Sequence, residues 1–336
     1  MEILVIIPII LSFFITFLVL PSWIRRAIKA ELKGEDMNKY EKPKIPEAGG
    51  VVAIAGLIIG ILCYVAIKTF YLQSEENLIE IFALISSIVI VSFIGMIDDI
   101  LGWKIGLGIK IRLFLCFIAA IPLMVINSGY SRIGIPFFDS INLGLVYPLI
   151  IIPLGIIGAS TTFNFLAGYN GLEAGQGAII IGALSLVAYF TGSVWITIIG
   201  LCAVAALLAF LLFNKYPAKI FPGNVLTYAL GTLIAAMAIL GNFEKIAVFF
   251  FIPYILEVLL KLRGKLKKES FAKPNKDNSL ESPYNKFYGL EHVAIWLLKR
   301  IKKDSKVYEK DVVYFIYSFQ IIIIILGLLL FRRYIF

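Results

Sequence analysis

The chain has 336 residues, 60% of them hydrophobic, with a mean hydropathy of +0.93 and a formal net charge of +9. Soluble globular domains are about 45–50% apolar, so this composition excludes a water-soluble domain and asks for an explanation of the basic excess other than nucleic acid. Three cysteines without a CxxC spacing and a single histidine, His292, indicate neither a zinc site nor a disulfide framework.

In chain order, apolar runs fall at approximately 2–21, 48–69, 79–97, 107–127, 143–163, 172–190, 193–213, 222–240, 242–262 and 311–331. A helix needs about 20 such residues to cross a hydrocarbon core. The runs therefore predict an all-α, polytopic membrane protein with about ten transmembrane helices in a single domain, 1–336. The first run begins after Glu2 with no basic stretch before it and no small-residue cleavage site, the pattern of a retained span with its N-terminus outside. From that start, Lys68, Arg132, Lys245, Arg332 and Arg333 fall on or near the outer side and the other 26 of the 31 Lys and Arg on the cytoplasmic side. This is the positive-inside distribution. It concentrates cations in two cytoplasmic loops, 22–47 and 263–310, which can also attract anionic lipid or nucleotide phosphate. Cys63, Cys116 and Cys202 all lie inside predicted spans, and Gly56 with Gly60 forms a GxxxG that predicts close helix packing.

Ionisable groups at the ends of spans are costly unless they bind something, and here they gather on one face. The third span ends in Asp98-Asp99, adjacent carboxylates able to offer hard oxygen ligands to a magnesium ion that also grips phosphate; an acidic helix end at the interface would look the same. Lys110 and Arg112 follow, cations suited to a phosphate leaving group or to topology alone. After the fifth span, 164–175 mixes Asn164, Gly168, Asn170, Gly171, Glu173 and Gly175 in a tight polar loop. Its glycines allow close backbone approach and its amides can serve a cation or a base. The eighth span opens with Phe221-Pro222-Gly223-Asn224, an aromatic ring ahead of a helix N-terminus. That combination suits base stacking and phosphate, or simply an interfacial ring and an Asn cap. Metal ligands, base stacking and phosphate contacts on one membrane face together favour an enzyme.

Four ordered motifs, 34–39 with 45–47, Asp98-Asp99, 164–175 and 214–224, resemble the polyprenyl-phosphate N-acetylhexosamine-1-phosphate transferases of glycosyltransferase 4 type, in particular the dolichyl-phosphate N-acetylglucosamine-1-phosphate transferases and their archaeal relatives. The resemblance spans nearly the whole chain. It implies a ten-helix fold with a cytoplasmic active-site groove, in which N-acetylglucosamine-1-phosphate passes from UDP-N-acetylglucosamine to a dolichyl or polyprenyl phosphate. UMP is released and a lipid-linked glycan for protein glycosylation is begun. Magnesium, or manganese in its place, is the implied cofactor. By the same resemblance Asp98, Asp99 and Lys110 are catalytic, and Asn164 and Asn224 stand at metal-ligand positions. Gly168, Asn170 and Phe221 form the uracil site, Glu47 meets the ribose and Met37 is an apolar neighbour of the base. The implied partners are the UDP-sugar and the membrane-embedded lipid phosphate, and the resemblance also allows a homodimer.

Three positions depart from the family pattern. Asn224 stands where the family usually has a metal-binding Asp, Thr161 replaces an Asn one turn before Asn164, and 263–284 lacks the eukaryotic His/Arg phosphate motif, reading Glu269-Ser270-Phe271-Ala272-Lys273-Pro274 instead. These departures motivate a second reading, a catalytically weak nucleotide-binding or regulatory homologue of the same fold. A secondary transporter is the third, but its charges belong near the bilayer midplane and these sit at one face.

Overall fold

The computed structural model describes residues 3–102, 105–133 and 141–335. Residue 2, where the first apolar run was placed, lies outside the described residues. Seven helices are long and apolar enough to cross a membrane. They are α1 (Ile6–Lys29), α2 (Gly50–Ala66) continued by the π-helical segment Ile67–Tyr71, α3 (Leu78–Leu101), α6 (Leu172–Phe190), α7 (Val194–Asn214), α8 (Asn224–Gly241) and α12 (Glu309–Leu330). The chain is an all-α multi-pass membrane protein, but the expectation of about ten such helices is corrected to seven among the described residues.

The three runs that fall short do so for local reasons. The run at 107–127 becomes α4 (Ile109–Val125), 17 residues with Lys110 and Arg112 in its first turn and Pro122 near its end. The run at 143–163 yields Tyr147–Phe163, a π-helical segment held to its start by Pro148 and continued as α5 (Ile152–Phe163), which opens on Pro153. The run at 242–262 breaks at Phe251 into α9 (Glu244–Phe250) and α10 (Ile252–Arg263), because Pro253 has no N–H to continue the ladder. Gln320 of α12 covers the break by donating to the Phe250 carbonyl at 2.8 Å.

α8 is the axis of the bundle, buried along nearly its whole length and packed on α3, α5, α6 and α7. Its approach to α3 is as close as backbone allows: a Cβ on Gly95 would lie 2.6 Å from the Asn224 carbonyl oxygen. The GxxxG expectation holds, since a side chain on Gly56 or Gly60 would collide with Thr16 or Ser12 of α1. Short antiparallel hairpins decorate the loops: β1 (Lys33–Glu35) with β2 (Lys44–Pro46), β3 (Arg132–Ile133) with β4 (Ile141–Asn142), and β5 (Lys273–Pro274) with β6 (Leu280–Glu281). The loop 263–310 also holds an amphipathic helix, α11 (Leu290–Ile301). The C-terminus of α3, the end of α5, the N-termini of α6, α8 and α12 and the β1–β2 hairpin converge at one end of the bundle, linked by the hydrogen bonds described next.

Candidate active site

Asp98 and Asp99 occupy the last turn of α3, and adjacency sends their carboxylates to different partners. Asp99 accepts the main-chain N–H of Asn224 at 2.7 Å and of Val225 at 3.2 Å, so it closes the N-terminus of α8 from another helix. The turn before α8 makes this approach feasible: Gly223 has φ +73°, and a side chain there would strike the Asp99 carboxylate. Asp98 is a hub of four donors. Its Oδ1 accepts the Leu107 N–H at 2.6 Å, and its Oδ2 accepts from the Asn224 amide at 3.0 Å, the Tyr228 hydroxyl at 2.9 Å and, as an ion pair, the Arg112 guanidinium at 3.2 Å.

The cation nearest this carboxylate is therefore Arg112, which also donates to the Leu107 carbonyl at 3.1 Å and lies over the Tyr228 ring at 5.7 Å. Lys110, one of the residues singled out from the sequence, is exposed at the start of α4 and makes no salt bridge among the described residues. The two positions are two residues apart on a helix and so face different directions.

Asn164 caps the C-terminus of α5, and its Oδ1 accepts the Thr227 hydroxyl at 3.0 Å. Thr227 also reaches the Asn224 carbonyl at 3.3 Å, so Asn164, Thr227, Asn224 and Asp98 form one continuous polar chain. Thr161 turns its hydroxyl back to the Ile157 carbonyl at 2.6 Å and takes no part. Among the described residues no three His, Cys, Asp or Glu side chains converge as a metal cage. Amide oxygens and the ligand's own phosphates would have to complete any metal shell here, a hard-oxygen set of the kind magnesium takes.

The 164–175 loop is held by the first basic loop, 22–47. Asn38 donates to the Gly168 carbonyl at 2.8 Å and accepts the Ala272 N–H at 3.0 Å, which joins both loops to 263–289. The Gly168 N–H donates to Glu173 at 2.8 Å. Asn170 donates its amide to Asp36 at 3.0 Å and to Glu309, the first residue of α12, at 3.1 Å, while its main-chain N–H meets the same Glu309 at 2.6 Å. Lys39 pairs with both Glu309 and Asp36 and lies over the Tyr216 ring at 4.2 Å. Gly168 itself is exposed with φ +95° and has the Phe271 ring against it.

Phe221 and Glu47 are drawn together by main-chain bonds: the Phe221 N–H donates to the Pro46 carbonyl at 2.8 Å, and the Gly49 N–H to the Phe221 carbonyl at 3.0 Å. Phe221 and Met37 are half-buried. Glu47 lies with its carboxylate against Gly34 in the paired hairpin, and burial holds its carboxyl above the usual range. His292 makes no hydrogen bond to these groups among the described residues. It sits on α11 with Nδ1 accepting the Tyr288 N–H at 3.4 Å, and burial, then the Lys261 charge, push its pKa down to about 4.

The structure thus joins Asp98, Asp99 and Asn224 directly and Asn164 to them through Thr227, brings Gly168, Asn170, Glu47 and Phe221 to the same end, and leaves Lys110 aside. Tyr228, Thr227 and Glu309 were not singled out from the sequence, and Asp36 and Lys39 entered only as members of the 34–39 motif, without a role. Tyr228 had a signal, being one helical turn after Asn224 on the same face. Glu309 had only its place as the carboxylate that opens the last span.

A model of glycosyl transferase family 4 matches residues 81–242, the segment from early α3 to just past α8. A protein of Saccharolobus solfataricus, provisionally named UDP-N-acetylglucosamine–dolichyl-phosphate N-acetylglucosaminephosphotransferase, is 38% identical over 97% of this chain and 96% of its own. The phospho-N-acetylmuramoyl-pentapeptide-transferase of Halalkalibacterium halodurans is 30% identical over 88% of this chain and 92% of its own. The UDP-N-acetylglucosamine–dolichyl-phosphate N-acetylglucosaminephosphotransferase of Dictyostelium discoideum is 26% identical over 73% and 68%.

Proposed function

The chain belongs to glycosyl transferase family 4, among its polyprenyl-phosphate N-acetylhexosamine-1-phosphate transferases, and from that premise we propose that it moves N-acetylglucosamine-1-phosphate from UDP-N-acetylglucosamine to a dolichyl or polyprenyl phosphate. A phosphate oxygen of the lipid forms a bond to the sugar-bearing phosphorus, the bond from that phosphorus to the bridging oxygen breaks, and UMP leaves with that oxygen. The observation that carries the reading is the polar chain Asn164–Thr227–Asn224–Asp98 with Arg112 and the α8 N-terminus beside it. Oxygen ligands, a cation and the positive end of a helix dipole are what two meeting phosphates need.

The lipid phosphate is anionic at neutral pH, so the protein has little proton transfer to perform. Asp98 keeps Arg112, Asn224 and Tyr228 in one arrangement, and Asp99 keeps α8 seated against α3. Gly168 and Asn170, with Phe221 and Met37, are assigned to the uracil and Glu47 to the ribose. Magnesium, held by Asp98, Asp99, Asn164 and Asn224, would neutralise diphosphate charge. The cytoplasm is the side we assign to this end of the bundle, because both basic loops, 22–47 and 263–310, lie there.

A second reading has a specific observation behind it. Asn224 offers an amide where a carboxylate would bind metal more strongly, and that amide is already bonded to Asp98. A nucleotide-binding homologue with weak turnover would carry this arrangement. Purified protein given UDP-N-acetylglucosamine, dolichyl phosphate and magnesium decides between them. Lipid-dependent UMP release, lost with chelator and in Asp98→Ala, supports the transferase. UDP binding without release across several UDP-sugars and lipid acceptors overturns it in favour of the homologue.

A further inference from the structure

We propose that Glu309, with Asp36, fixes the side-chain amide of Asn170 so that only its carbonyl oxygen faces a ligand, which makes the first residue of α12 a positioning residue that selects uracil over cytosine. The inference rests on the donor-nucleotide reading above and adds to it a residue from outside the segment that the family model matches.

The argument begins with donors and acceptors. An ionised carboxylate only accepts hydrogen bonds, whereas a primary amide has a donating and an accepting end. Asn170 Nδ2 lies 3.1 Å from one oxygen of Glu309 and 3.0 Å from one of Asp36, so both of its hydrogens are taken by carboxylates. Flipping the amide would set its carbonyl oxygen against the same two carboxylates. Lys39 pairs with both of them, which sets a positive charge against the carboxylate oxygens that accept from the amide. The second oxygen of Glu309 accepts the main-chain N–H of Asn170 at 2.6 Å, so the residue is gripped at backbone and side chain by one carboxylate.

The consequence is left on the far end of the amide. Asn170 is 4% exposed and its Oδ1 is buried with no hydrogen-bond partner. A buried acceptor without a donor costs free energy until one arrives. The Gly168 N–H, two residues before, does not supply it, being committed to Glu173. An orphan acceptor held in one orientation suits a ring N–H. Uracil presents such a group at N3, whereas cytosine presents a lone pair at N3, which would set acceptor against acceptor.

The test measures binding rather than turnover. Full-length protein in nanodiscs is titrated with UMP and with CMP, and the ratio of the two dissociation constants is the readout. Glu309→Gln is nearly isosteric but brings an N–H donor to the amide, so it rewards the flipped orientation. The UMP preference is expected to fall about tenfold, the change that follows from losing one well-placed hydrogen bond. Tyr317→Phe removes another anchor of the same loop, the 2.6 Å bond from the Tyr317 hydroxyl to the Gly171 carbonyl, without touching Asn170, and is expected to keep the preference. Should Glu309→Gln fail to fold, Asp36→Asn poses the same question from the other carboxylate. An unchanged ratio in a folded variant overturns the proposal, as does an equal loss in Tyr317→Phe or a wild type that binds UMP and CMP alike. A wild type that binds neither nucleotide overturns the donor reading as well, and is thereby told apart from failure of the amide lock alone.

Discussion

Asp99 accepts the main-chain N–H of Asn224 at 2.7 Å, so one carboxylate of the acidic pair serves as the N-terminal cap of a helix that is distant in sequence. Its neighbour Asp98 instead gathers side chains: Arg112, Asn224 and Tyr228. Two adjacent and chemically identical residues therefore carry separable loads, and substitution should separate them. Asp99→Asn keeps the shape but weakens the cap, and is expected to cost about 1 kcal/mol of stability, read as a lowered thermal midpoint in detergent. Asp98→Asn is expected to lower UMP release by roughly 100-fold or more, the scale of removing one electrostatic contact from an active site. Equal losses of stability in the two variants would contradict the division.

Gly223 is the hinge of that cap. A side chain there must adopt φ +73° and push against the Asp99 carboxylate. Gly223→Ala is expected to destabilise the protein by about 1–2 kcal/mol and to lower activity with it, whereas Gly192→Ala, at φ +84° with open space around it, should cost only the backbone strain and leave activity intact. Parallel thermal and UMP-release measurements on the two variants check this.

Arg112 and Lys110 can be compared directly. Lys110→Ala, an exposed position, is expected to change UMP release less than about threefold, in keeping with the small worth of exposed charges. Arg112→Ala strips Asp98 of its ion pair and is expected to reduce release by at least about 100-fold, and Arg112→Lys restores little because a lysine cannot reproduce the planar fork. A larger effect at Lys110 than at Arg112 would reverse the assignment.

His292 gives a pH signature in the loop 263–310. It feels the charge of Lys261 of α10, meets the main chain at Ser270 and Phe271, and lies beside the Tyr284 ring, whose centroid is 5.5 Å away. Burial and the Lys261 charge lower its pKa from 6.5 to about 4 in the fold. Between those values the unfolded chain binds a proton that the folded chain refuses, so stability is lost as pH falls through that window. Glu291 shifts the opposite way, raised by burial and by Glu257, but it is common to wild type and variant. The stability of His292→Gln relative to wild type is therefore expected to rise as pH drops from 6.5 to 4, by on the order of 3 kcal/mol. Thermal midpoints at a series of pH values measure the difference, and a flat difference rules the shift out.

Much of this protein was legible in its sequence because a bilayer leaves few choices. A long apolar run must satisfy its own backbone, which only a helix does, so membrane class, helical fold and most span positions follow from composition and run length. The family motifs likewise marked Asp98, Asn164, Asn170 and Asn224 as residues that belong to one end of the bundle. Where run length misled, proline was the reason: Pro253 splits one apolar stretch, and Pro148 and Pro153 delay the start of another. Apolarity records where a segment is comfortable and says nothing of where its hydrogen-bond ladder stops.

Partner choice was decided by the tertiary structure alone. Sequence gives Asp98 and Asp99 the same chemistry and Lys110 and Arg112 the same charge; it is the crossing of α3 with α8 at Gly95, and the helical phase of α4, that assign one acid to a helix cap, the other to a hub, and one cation to that hub. The link between Asn170 and Glu309 spans 139 positions and leaves no trace in local pattern. A hydrogen bond depends on the placement of two atoms to within a few tenths of an ångström. Hydropathy and spacing constrain each segment by itself, and only the packing of the segments against one another sets such distances.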